Sequence, residues 1–61
     1  MNEDEFKGKW KVAKGKMKQK YGELTDDDLT YAEGKSDELI GRIQEKTGKT
    51  KEAIKKEIDN Y

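Results

Sequence analysis

The sequence predicts an all-α protein: a small bundle of four short helices, built as two packed αα-hairpins. Three observations predict it. The 61 residues contain no proline, the residue that most strongly interrupts helices. Apolar residues recur at three- and four-residue spacing and nowhere alternate with period two, the mark of a half-buried strand. Four capping signatures, each leading into such a spacing, divide the chain, and glycines punctuate it.

The first helix is expected near residues 3–21. Asn2 with Glu5 three residues later makes a capping box, and Met1 and Phe6 occupy the positions of a hydrophobic staple. Phe6, Trp10, Ala13, Met17 and Tyr21 then form one narrow apolar stripe at about 100° per residue. A second, short helix is expected near 26–33. Thr25 is its cap, Leu24 and Leu29 its staple, and Asp26, Asp27 and Asp28 fill its first turn, where carboxylates favour the positive end of the helix dipole. Leu29 and Ala32 give it one modest apolar edge. The third helix, near 37–47, starts from Ser36 with Asp37 and Glu38 and carries Leu39, Ile40 and Ile43. The fourth, near 51–60, starts from Thr50 with Glu52 and carries Ala53, Ile54, Ile58 and Tyr61. Glu38 with Arg42, and Glu52 with Lys56, are (i, i+4) pairs in the better orientation. Gly22, Gly34 and Gly48 stand just past the first three helices, where a left-handed closing residue is wanted. The expected core is Phe6, Trp10, Ala13, Met17, Tyr21, Leu24, Leu29, Leu39, Ile40, Ile43, Ile54 and Ile58.

A degenerate internal repeat underlies the pattern. All six glycines fall in two ladders, Gly8, Gly15, Gly22 and Gly34, Gly41, Gly48. Lys9 then answers to Lys35, Lys16 to Arg42, Met17 to Ile43 and Lys20 to Lys46. Two units that cannot bury their faces alone would pack on each other.

Composition excludes much. Cysteine and histidine are both absent, which removes disulfides, thiolate chemistry, the commonest general base and the commonest transition-metal ligand. The only serine, Ser36, therefore has no histidine to activate it. No apolar run reaches the roughly 18 residues of a bilayer span, and no signal peptide opens the chain. The expectation is one cytoplasmic domain over residues 1–61, a monomer with no cofactor, catalytic residue or metal site, and no small-molecule substrate. Charged residues make up 46% of the chain yet sum to zero net charge, so uniform self-repulsion does not force it open.

Three features invite a functional reading. Lys7, Lys9, Lys11, Lys14, Lys16, Lys18 and Lys20 run from Phe6 to Gly22 without an intervening acid and flank the aromatic stripe. Residues 6–21 then read either as a basic amphipathic helix for an anionic membrane surface or nucleic acid, or as a core helix with a solvated face. Asp26, Asp27 and Asp28 suggest a cation, but an EF-hand loop from Asp26 would need Gly and Glu where Tyr31 and Asp37 stand. Gly8, Gly15 and Gly41 lie opposite the apolar stripes, each costing about 1 kcal/mol relative to Ala in a helix interior. Together with Lys7, Lys11, Lys14 and Lys18 they mark the surface where interaction is expected.

The stretches "WKVAKGKMKQKYGELTDDD" and "AEGKSDELIGRIQEKTG" carry Trp10, Gly15-Lys16, the turn from Gly22 through Leu24, Thr25, Asp26 and Asp27, Glu33-Gly34-Lys35, Gly41 and Gln44. In this order and spacing they resemble the CsbD-like family of small bacterial stress proteins, over nearly the whole chain from Phe6 to Ile58. The resemblance implies a small array of short helices, induction under general, osmotic or stationary-phase stress, and no established molecular activity, so no catalytic or ligand residues are carried over. The functional expectation is a non-enzymatic, hydrophilic stress-response protectant or weak interaction protein. The alternative is a binding module that uses the basic first helix.

Overall fold

The computed structural model describes residues 2–61 and contains three helices: α1 (Glu3–Lys20), α2 (Ser36–Thr47) and α3 (Lys51–Asn60). No strand occurs among the described residues. Helix α3 packs against both other helices, and the irregular segment 21–35 connects α1 to α2.

The start of α1 follows from its cap. Asn2 sits in an extended conformation, its Oδ1 accepts from the Glu5 N–H at 2.8 Å, and its side-chain amide donates back to the Glu5 carboxylate. The staple partner Met1 lies outside the described residues. The C-terminal end differs from expectation. Tyr21 leaves the helix with φ −117° and ψ 91° while its N–H still donates to the Met17 carbonyl. Gly22 has no positive φ, so an extended tyrosine, not a left-handed glycine, ends α1. The chain then turns tightly, Leu24 N–H donating to the Tyr21 carbonyl at 3.1 Å, and Leu24 swings into the core.

The expected helix over 26–33 does not form, and the bundle accordingly has three helices in place of four in two hairpins. Its cap does form. Asp28 accepts from the Thr25 N–H and hydroxyl, and the Thr25 hydroxyl accepts from the Asp28 N–H. One helical turn follows, with Leu29 N–H reaching the Thr25 and Asp26 carbonyls, and then it stops. Side chains also bond to carbonyls of this turn and of the residue that ends it: the Thr30 hydroxyl to Asp26, Arg42 to Asp27 and the Trp10 indole to Leu29. A run of Asp, Thr and Tyr has poor helix propensity, and eight residues are too few to propagate against that competition. Gly34, at φ 79°, serves the turn before α2, where the Lys35 N–H donates to the Ala32 carbonyl.

Helix α2 begins without a side-chain cap: Lys35 occupies the cap position, and Ser36 is already helical. The Ser36 hydroxyl donates instead to the Glu3 carboxylate at the start of α1. Gly48 ends α2 in the left-handed conformation, φ 73°, its N–H donating to the Gln44 carbonyl at 2.8 Å. Two residues later the Thr50 hydroxyl caps α3 by accepting from the Ala53 N–H. Glu38 pairs with Arg42 at 3.4 Å. Glu52 and Lys56 are not within ion-pair distance of each other among the described residues.

The buried set is Phe6, Trp10, Ala13 and Met17 from α1, Leu24 and Leu29 from the connection, Leu39, Ile40 and Ile43 from α2, and Ile54 and Ile58 from α3. Tyr21, expected in the core, is half-buried at its rim with Tyr31 and Tyr61. Its place just past the last turn of α1 lets the hydroxyl reach a carboxylate. Ala32 and Ala53, expected on apolar stripes, are exposed. Phe6 stacks nearly parallel to Trp10 at 6.1 Å and meets Tyr31 at 5.3 Å. Replacing Trp10 by Phe would keep the aromatic surface but strand the buried Leu29 carbonyl. Trp10→Phe is therefore expected to lose about 1–3 kcal/mol, read as a lower urea midpoint by far-UV circular dichroism.

Candidate functional site

The surface of α1 divides into two zones. On the sides that face its neighbours, lysines reach across to carboxylates. Lys9 meets Asp59 at 2.6 Å and also donates to the Asp59 carbonyl, Lys18 meets Asp26 at 2.7 Å, and Lys20 meets Glu57 at 2.6 Å. Lys7 approaches Glu33 at 3.9 Å. Lys11, Lys14 and Lys16 have no carboxylate within 4.0 Å among the described residues. The seven-lysine run is thus partly fastening and partly free. Trp10, which the sequence places between the lysine flanks, is 4% exposed, with its indole N–H bonded inside.

The solvent side of α1 carries Gly8, Val12 and Gly15. Val12 is the one exposed large hydrophobic among the described residues, at 53%. A methyl group built on Gly8, Gly15 or Gly41 would meet nothing within 4 Å. None of the three is needed for close packing within the chain, and all lie in ordinary helical backbone.

Two carboxylates organise the polar contacts, and the sequence gives little sign of either. Glu57 on α3 is only 13% exposed at its side chain. It accepts from Lys20, from the Tyr21 hydroxyl at 2.9 Å and from the Tyr61 hydroxyl at 2.9 Å. Burial pushes its carboxyl up, but the hydrogen bonds from Lys20, Tyr21 and Tyr61 outweigh that and hold it below the usual carboxylate value. Burial and Glu57 together raise the Tyr61 phenol. The ammonium groups of Lys20 and Lys49 lie 5.6 and 5.8 Å from the Tyr21 ring centre. The one sequence signal for this cluster is the (i, i+4) spacing of Glu57 and Tyr61.

Glu3 is the second node. Its carboxylate accepts from the Ser36 and Tyr31 hydroxyls, so the first turn of α1 holds both the connection and the start of α2. Those bonds, Ser36 first, lower its pKa. Asp26, Asp27 and Asp28 diverge. Asp26 is drawn below its usual value by the hydrogen bond from Lys18, and Asp28 by the Thr25 backbone. Lys46 approaches Asp28 at 3.7 Å. Among the described residues no group of three or more acidic side chains is placed to hold a metal ion. Among the described residues no helix is long and apolar enough to cross a membrane.

Comparison with known proteins places these features. The sequence model described as CsbD-like matches residues 4–56. The chain is 56% identical over 61 residues to a UPF0337 protein of Pectobacterium atrosepticum, covering 100% of this chain and 88% of the relative. It is 53% identical to the UPF0337 protein YjbJ of Escherichia coli strain K12, again over 100% of this chain and 88% of the relative. A UPF0337 protein of Pseudomonas aeruginosa is 46% identical, with 94% of its length covered. No solved structure matches the chain.

Two outcomes are expected. Gly8→Ala, Gly15→Ala and Gly41→Ala each raise stability by up to about 1 kcal/mol, read as a higher thermal midpoint by circular dichroism. Glu57→Gln lowers stability at neutral pH. Because the folded-state pKa of Glu57 is depressed, its contribution is full above the ordinary value of 4.5 and disappears as pH falls through the lower folded value. Urea midpoints of the two proteins should therefore differ at pH 7 and converge in acid.

Proposed function

Because the chain belongs to the CsbD-like family, we propose that it is a non-enzymatic bacterial stress-response protein that works as a hydrophilic helical protectant. The observation that carries this reading is the surface. Nearly half of all residues are charged at zero net charge, and Val12 is the one large apolar side chain exposed among the described residues. Such a surface holds water and counter-ions and presents no extended sticky patch to unfolding neighbours. The small core keeps the apolar residues out of the way, so many copies can crowd around other proteins without coalescing through hydrophobic contact.

The site geometry gives the basic-helix alternative less to work with. An interfacial helix needs its aromatic residues at the surface beside its lysines. Phe6, Trp10 and Met17 are buried, and four of the seven lysines face carboxylates of the same chain.

The test uses a dehydration-sensitive enzyme taken through drying and rehydration, or through heating, with this protein or an equal mass of an unrelated small protein. Retained enzyme activity should rise with the amount of this protein and exceed the control several-fold. Equal recovery in both arms would end the protectant reading.

A further inference from the structure

The outward faces of α1 and α2 are complementary in charge, and that complementarity lies between copies of the chain, not within one. At about 100° per residue, Gly8, Val12, Gly15 and Gln19 share an arc of about 60° on the solvent side of α1. Lys11 and Lys16 stand about 40° beyond its two edges. Both lysines are exposed, and neither has a carboxylate within 4.0 Å among the described residues. On α2, Gly41 points away from Leu39, Ile40 and Ile43, and Asp37 and Glu45 flank it at about 40° on either side. Both carboxylates are exposed. Asp37 touches Lys51 at 3.2 Å yet keeps 79% of its side chain in solvent, and Glu45 is unpaired among the described residues. Glu38 lies just beyond, held by Lys35 and Arg42.

The internal repeat puts the two faces in register. Its 26-residue offset, the separation of Gly15 and Gly41, carries Lys11 onto Asp37, Val12 onto Glu38 and Gln19 onto Glu45. At Lys11 and Asp37 the face therefore reverses sign between the two repeats, and Glu38 and Glu45 add charge where α1 has Val12 and Gln19, while Lys16 keeps its sign in Arg42.

We propose that the outer face of α1 docks on the outer face of α2 of a second copy of this chain, with Lys11 and Lys16 against Asp37 and Glu45. With the Gly8–Gln19 arcs centred on each other, like faces would oppose lysine to lysine or carboxylate to carboxylate; the exposed Asp4 and Glu5 share the outward side of α1 but lie beyond the N-terminal end of that arc. The contact is therefore heterologous, α1 of one copy on α2 of the next, and it does not close as a two-fold dimer. Zero net charge leaves no long-range repulsion between copies. Gly15 and Gly41 let the helices come close, since neither side presents a Cβ and the surrounding space is open. With exposed pairs at its rim the association is weak and reversible, and it shows at high protein concentration and low salt. This inference does not rest on the protectant reading.

The experiment is sedimentation equilibrium from dilute solution to a concentration on the order of 1 mM, in low salt and in salt high enough to screen the pairs. Two variants share the wild-type net charge. K11E/K16E/D37K/E45K exchanges the signs of both faces and keeps them complementary. K11E/K16E/E23K/E52K reverses α1 alone and places the compensating charges elsewhere. The wild type and the first variant should gain average mass with concentration in low salt and lose it in high salt, and the second should stay monomeric. Concentration-dependent amide shifts of the unaltered protein supply a reading independent of how the variants fold, and they should centre on residues 8–19 and 37–45. A wild type that stays monomeric throughout overturns the proposal. So does a second variant that associates like the wild type, or shifts confined to other surfaces.

Discussion

The hydrogen bond from the Trp10 indole to the Leu29 carbonyl, 3.1 Å long and buried, is the contact on which the rest of this small structure depends. It fixes the largest side chain of α1 beneath the connection, so Phe6 can stack on one side and Leu24 and Leu29 close the core. It also ties down the Leu29 carbonyl where the single helical turn ends, and residues 30–35 run irregularly beyond it. That irregular course lets Tyr31 lean on Phe6 and reach Glu3. One side-chain donor thus sets both the inside of the molecule and the path of its connection, in a chain with little apolar surface to spare.

Around that core, the polar contacts between elements repeatedly use a carboxylate as the receiving group. Glu3 collects hydroxyls from the connection and α2, Asp26 and Asp59 take lysines of α1, and Glu57 collects one lysine and two phenols. The exposed members each add little, because water and salt compete. Glu57 differs, since its low exposure strengthens every bond it accepts. It joins the end of α1 to α3 where Tyr21 has already left the helix.

What the sequence discloses and what it conceals follow one physical division. Local devices were legible: the Asn2, Thr25 and Thr50 caps, the left-handed Gly48, and the stripes that bring Phe6, Trp10, Met17, Ile43, Ile54 and Ile58 inside. Each depends on residues within a turn or two. The short second helix is misleading in the sequence because the segment is held by Trp10 and Arg42, which lie 19 and 15 residues from the carbonyls they bind. Ser36 reads as a cap by its neighbours but is drawn away by Glu3, 33 residues distant. The surface reading divided the same way. The lysine run was plain, while the question of which lysines are fastened required Asp26, Glu57 and Asp59 to be placed in space.

The position of α3 has a consequence for how the molecule comes into being. Helices α1 and α2 each lean on α3, and Ile54 and Ile58 sit fully buried between them. Residues 51–60 are also the last of the three helices to be synthesised. While the nascent chain emerges, the lysine-bordered stripe of Phe6, Trp10 and Met17 has the connection but not its main partner. Chain growth at 5–20 residues per second is slow beside helix docking. Because α1 and α2 both pack on α3, their docking waits until residues 51–60 are available.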